Sequence, residues 1–184
     1  MIVTGTGGKL NKQLSVSKDA ILMTSYTDNF ASMGERFTYR RVLSFGAAEI
    51  QNILIDMSAM SEKKEFTLSP IIGSASEDMV EARVYEGTDY TGGTSLQFYN
   101  ANRNYGDRYD TVITTGATGT VKGTNIREIL FPGNSSGKNI RPASNNSLVS
   151  LILDRTQKYL IELESANTTD FELNIDFYEV VVSE

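Results

Sequence analysis

From Phe37 onward the chain places apolar residues at every second position, the spacing of a strand with one buried face. Phe37, Tyr39, Leu43 and Phe45 alternate with polar neighbours, but Arg41 falls on their apolar face, where a bulge or an interface contact would account for it. Ile53, Ile55 and Met57 continue the pattern, followed by Phe66, Leu68 and Ile72 with Thr67 and Ser69 on the opposite side. Pro70 has no N–H to give to a ladder, so it sets that strand at an edge or a bulge. Val80, Ala82 and Val84 alternate with Glu81, Arg83 and Tyr85, a half-buried strand. Beyond the middle come Val112 and Ile113, then Ile126, Ile129, Leu130 and Phe131, then Val149, Leu151 and Leu153. Two further alternating runs, Tyr159, Ile161, Leu163 and Phe171, Leu173, Ile175, Phe177, are joined by the polar segment 165–170 and predict a β-hairpin. About nine or ten strands with turn signals between them and no long helix predict an all-β fold, a β-sandwich of jelly-roll type.

Two stretches fall outside this rhythm. Residues 1–12 are rich in Gly, Thr, Lys and Asn and predict an extended N-terminal arm, leaving 13–184 as a single β-sandwich domain. Between Ser15 and Gly34, the i, i+4, i+7 spacing of Tyr26, Phe30 and Met33, with Asp19 or Thr27 as cap, fits a short helix. An irregular crossing segment fits equally well. At the centre, Gly92-Gly93 predicts a turn feeding a short strand with Leu96 and Phe98 on one face. That strand runs into an asparagine-rich corner of Asn100, Asn102 and Asn104 with Arg103 inside it. Tyr85, Tyr90, Phe98, Tyr99, Tyr105 and Tyr109 cluster around this segment. Such a Tyr, Asn and Arg mixture is common at interfaces and on sugar-binding surfaces, although core packing takes many aromatic residues.

Composition narrows the chemistry. At 184 residues, 40% hydrophobic and 22% charged, the chain is ordinary for one globular domain. It contains no cysteine and no histidine, so Ser-His-Asp triads, thiolate nucleophiles and Cys- or His-ligated metals are excluded. The net charge of -6 disfavours nucleic acid as a partner. No apolar run approaches the roughly 20 residues of a membrane-spanning helix, so neither a secretion leader nor a membrane anchor is expected.

Three sites invite a chemical reading, and each has a plainer one. Gly133 to Asn139 resembles a phosphate loop but has three residues between its glycines instead of four, and Asn139 replaces the hydroxyl. Asn100, Asn102 and Asn104 alternate as calcium ligands do, but Tyr105 and Thr111 stand where the loop needs Gly and Glu. Asx-turns holding the corner are the alternative. In the predicted C-terminal hairpin Glu172 would oppose Glu162 or Glu164, a like-charge pair that solvent, a cation or a neighbouring subunit's Lys or Arg would relieve. Such paired carboxylates are also what a glycosidase uses.

The run Glu86 to Asn104, some sixty residues before Lys158 to Asn167 and then Phe171 to Glu179, resembles a group of tailed-bacteriophage virion proteins. Those proteins share a Gly-Gly-Thr, strand, Tyr-Asn-x-Asn-Arg-Asn centre and end in a hairpin of Tyr-Leu and Phe-Tyr-Glu strands. The resemblance covers roughly residues 37 to 180. Ala101 departs from the Arg expected there, which lowers the local charge. The resemblance implies a non-enzymatic virion component without a cofactor, a capsid decoration (cement) protein. It would be made in the host cytoplasm and seated on the capsid surface. Its partners would be the major capsid protein and copies of itself, a trimer favoured, with no nucleic acid or membrane. The interface candidates are Asn100, Asn102, Arg103, Asn104, Tyr99, Tyr105 and Arg41. Two rivals remain: a carbohydrate-binding or tail-fibre module stacking sugar on Tyr90, Tyr99 and Tyr105, and a depolymerase using Glu162, Glu164 or Glu172.

Overall fold

The computed structural model describes residues 14–17, 20–23, 33–133 and 150–181. The strands in order are β1 (Leu14–Ser17), β2 (Ala20–Met23), β3 (Arg36–Phe45), β4 (Glu49–Asp56), β5 (Lys64–Leu68), β6 (Ile72–Ala75) and β7 (Val80–Glu86). They continue with β8 (Thr94–Ser95), β9 (Tyr99–Asn100), β10 (Val112–Thr115), β11 (Thr124–Phe131), β12 (Leu151–Leu153), β13 (Lys158–Ser165) and β14 (Thr169–Val181). Met33 is the one described residue in helical conformation, and no helix among the described residues is long and apolar enough to cross a membrane.

Two antiparallel six-stranded sheets face each other across one core, which is a β-sandwich. The first runs β11-β7-β13-β4-β10-β8; the second runs β12-β5-β14-β3-β9, with β6 also paired to β14. β1 and β2 form a separate antiparallel pair, so residues 14–17 and 20–23 are extended. The N-terminal arm, the loop from Asn134 to Asn139, and Tyr26 and Phe30 of the helix proposed on Tyr26, Phe30 and Met33 lie outside the described residues, while Met33 is described and helical.

Alternation places the core well. Phe171, Leu173, Ile175 and Phe177 of β14 point inward and are buried, as are Tyr159, Ile161 and Leu163 of β13. Phe177 is the hub of the aromatic packing: its ring stacks at 4.9 Å on Phe66 and 5.1 Å on Phe37, and meets Phe98 and Tyr109 edge-on at 5.0 and 5.4 Å.

The sequence-based hairpin is corrected. β13 and β14 are consecutive but belong to opposite sheets, β13 between β7 and β4 and β14 between β5 and β3. The link between them is an arch across the core, so the two apolar faces look at each other instead of lying side by side. Glu162 is therefore opposite Arg83 and Asn52, and Glu172 is opposite Val42 and Ser74. The postulated like-charge pair does not exist.

Two smaller expectations also change. β3 pairs with β14 from Arg36 to Phe45 with no shift in register, so no bulge explains Arg41. Pro70 does not place β5 at an edge, since β5 lies between β12 and β14, but ends it: β5 and β6 lie end to end along the same side of β14, and the interruption resets the alternation. Ile71 is buried in consequence and Ile72, expected inside, faces out.

Candidate functional site

The central corner is built from the turn upward. Gly92 and Gly93 both have positive φ, and a Cβ on Gly93 would lie 2.6 Å from the Thr115 carbonyl, so no other residue fits there without a shift. The turn delivers β8 to the edge of β10, and Leu96 and Phe98 then enter the core. The Tyr109 hydroxyl donates to the Leu96 carbonyl at 3.0 Å and accepts from the Phe98 N–H at 3.1 Å, pinning both ends of this crossing. β9 then pairs with the start of β3, and the chain turns.

Asn100 holds that turn. It is buried, and its amide donates to the carbonyls of Gly34 at 2.8 Å and Gly106 at 3.3 Å, while its side-chain oxygen accepts from the Asn102 N–H at 2.9 Å. Asn102 repeats the device by accepting from the Asn104 N–H at 3.1 Å. These are successive Asx-turns, so the Asn100 and Asn102 oxygens that a calcium reading would need are engaged by backbone. The Asp107 carboxylate closes the ring, accepting from the Asn100 N–H at 2.6 Å and from Arg103 at 3.0 Å. Asn100→Ala leaves several backbone groups unpaired in a buried setting. It is expected to cost about 2–3 kcal/mol of unfolding free energy in urea melts; a loss below about 0.5 kcal/mol would show that the corner does not depend on this amide.

On this frame three side chains stand out into solvent. Tyr99 and Tyr105 are 52% and 51% exposed, and the Arg103 guanidinium sits 5.7 Å from the centre of the Tyr99 ring. Tyr105 lies over Gly34, where any Cβ would collide with its ring. The structure thus brings Asn100, Asn102, Arg103, Asn104, Tyr99 and Tyr105 into one corner. Arg41 lies outside it, along a cleft of about 450 Å³ that has Tyr99 at its other end. Tyr90 packs instead beside Gly119, in the loop pair bridged by Thr91 and Thr118. Phe98 and Tyr109 belong to the core, and Tyr85 reaches toward Glu162 on the outer face of the first sheet.

The carboxylates singled out in the sequence are distributed over both sheets, each beside a cation. Glu162 is buried under Lys122 at 2.6 Å and lies 3.5 Å from Arg83, which also holds Glu164 at 2.6 Å and pairs with Glu81. The Glu162 hydrogen bond keeps the Lys122 ammonium above its ordinary pKa despite partial burial. Glu172 pairs with Arg40 on the other sheet. The described residues contain no cluster of three acidic side chains arranged to hold a metal ion.

One polar site was not anticipated. Glu179 is 4% exposed on the inner face of β14, in phase with Phe177, and its carboxylate accepts from the backbone N–H groups of Asp110 and Thr111 and from the Thr111 hydroxyl at 2.6 Å. Lys64 bridges Glu179 and Asp110 at 3.3 and 2.7 Å. The signal was present in the sequence: an acid one step beyond four alternating core residues. Compared with known proteins, the chain matches no protein-family model and no curated protein.

Proposed function

We propose that this chain is a non-enzymatic structural protein of a tailed-phage virion, a decoration protein that binds the major capsid protein and stabilises the head as a homo-oligomer. One observation carries the reading: Tyr99, Arg103 and Tyr105 project from a corner held by the side-chain hydrogen bonds of Asn100, Asn102 and Asp107. Tyrosine and arginine are the residues that dominate protein–protein binding energies, and a rigid frame lowers the entropy lost when they dock. The resemblance of the Gly-Gly-Thr to Asn-Arg-Asn run to virion proteins adds the biological setting. The all-β sandwich and its Gly- and Thr-rich connections suit a protein that binds through loops.

Purified protein is expected to rebind capsids of its parent phage from which it has been stripped, and to raise their tolerance of heat or salt. A Tyr105→Ala, Arg103→Ala double variant should fold normally and rebind at least about a hundred-fold more weakly, the loss expected when two central contacts go. Association with tails alone, or with no particle, would refute the decoration reading. Glycan binding that disappears in Tyr105→Ala would establish the carbohydrate module in its place.

A further inference from the structure

Strand β3 has a free edge. In its ladder with β14, Glu179 N–H donates to the Glu35 carbonyl, so odd-numbered residues of β3 turn their backbone groups toward β14 and even-numbered ones turn away. β9 covers the outward side only at Phe37 and Thr38, and the Arg36 carbonyl accepts from Ala101. The Ser44 carbonyl accepts from the Gln51 side chain at 3.1 Å. Between these points the outward N–H and C=O groups of Arg40 and Val42 meet no described strand, and Val42 is 59% exposed.

The same edge opens into the sandwich. The 450 Å³ cleft between Arg41 and Tyr99 adjoins a second, of about 370 Å³, lined by residues of both sheets. Tyr39, Arg41 and Leu96 line both clefts, and Leu43 and Ile53 add apolar walls to the second. The Arg41 guanidinium forms no ion pair with a described residue, although its neighbour Arg40 is matched by Glu172.

We propose that this edge receives an extended segment of a partner protein, which adds a strand along β3 in line with β9. That segment turns an acidic side chain toward Arg41 and apolar side chains toward Tyr39 and Leu43. Backbone bonds to Arg40 and Val42 give affinity, and alternate side chains entering the clefts give selectivity. A second copy of β3 does not fit: edge-to-edge pairing would set the Arg40 and Arg41 positions of two chains near each other, and like charges across a strand pair are unfavourable. The surface adjoins the exposed corner at Tyr99, but the inference rests on the β3 edge and Arg41 and does not depend on the virion assignment.

The test uses the isotope-labelled full chain and a peptide about eight residues long, a usual strand length, alternating threonine with valine and carrying one central glutamate among the valines. Added peptide should slow amide exchange at Arg40 and Val42, while Arg41 and Leu43, already bonded to β14, change little. Replacing the glutamate by lysine, or using Arg41→Gln, should each weaken binding by about ten-fold, the scale of one charge-assisted contact. Val42→Pro removes one outward N–H without touching the β14 ladder and should abolish the protection. If that variant is misfolded, a peptide N-methylated at alternate residues replaces it and should fail to bind. Equal binding of the glutamate and lysine peptides, or protection at another strand, would overturn the proposal. So would Arg41→Gln protein that self-associates without binding peptide, because an inward charge can simply guard a bare edge.

Discussion

Phe177→Ala is expected to lower the unfolding free energy by about 3–5 kcal/mol, read from equilibrium urea melts. The ring touches four aromatic neighbours drawn from different strands and loops of the sandwich, Phe37, Phe66, Phe98 and Tyr109, and is fully buried. Removing it leaves a cavity walled by rigid rings that cannot collapse, which puts the cost toward the top of the usual range. Phe177→Leu keeps most of the apolar volume but forfeits the ring contacts, and should cost about 1–2 kcal/mol. Because domains are commonly stable by only about 5–15 kcal/mol, the alanine variant is also expected to accumulate poorly as soluble protein. A loss below about 1 kcal/mol for Phe177→Ala would mean that the packing does not centre on this residue.

Glu179→Leu is expected to cost a similar amount, about 3–5 kcal/mol, for a different reason. Leucine fills the volume, but it strands the Asp110 and Thr111 amides and the buried Thr111 hydroxyl and takes one of its two carboxylate partners from Lys64. Glu179→Gln retains one oxygen acceptor and should lose roughly half as much. Equal losses in the two variants would show that charge, not hydrogen bonding, holds the 107–111 loop against β14. The lysine supplies a check by pH. Burial lowers the Lys64 pKa, but the Asp110 hydrogen bond and the Glu179 charge outweigh it, leaving the pKa above the ordinary 10.5. A cation whose pKa is raised by folding stabilises fully below its unfolded value and loses that contribution as pH rises through the folded value. The stability gap between wild type and Lys64→Met should therefore be flat around neutrality and shrink only above about pH 10.

Period-two alternation in the sequence was enough for the fold class and for the inward set on β7, β13 and β14, because side chains of a half-buried strand must alternate faces. It was blind to which strands are neighbours. Tyr159 to Leu163 and Phe171 to Phe177 present the same pattern whether they form a hairpin or face each other across a core, and the structure has the second arrangement. The mistaken pairing of Glu172 with Glu162 or Glu164 followed from that ambiguity. Ile72 failed for a local reason, since Pro70 resets the phase and carries Ile71 inward in its place. At the corner, the spacing of Asn100, Asn102 and Asn104 was legible as Asx chemistry, and the first two side chains each reach a backbone amide two residues on. Asp107 and Gly34, which complete the corner, are identifiable only once the chain is folded. The two most informative residues were charges in phase with a core. Glu179 proved to be a buried anchor, and Arg41 opens onto a cleft.

The position of β14 has a consequence for how the protein is made. This 13-residue strand is the shared partner of β3, β5 and β6, which are translated long before it. While the ribosome is still reading the codons for residues 169–181, those three strands have no common neighbour to zip onto, and their apolar faces stay unsheltered. The β3–β9 and β12–β5 pairs need no β14, but their joining into one sheet waits for it, so chains that stop ahead of residue 169 are expected to expose apolar strand faces and to aggregate.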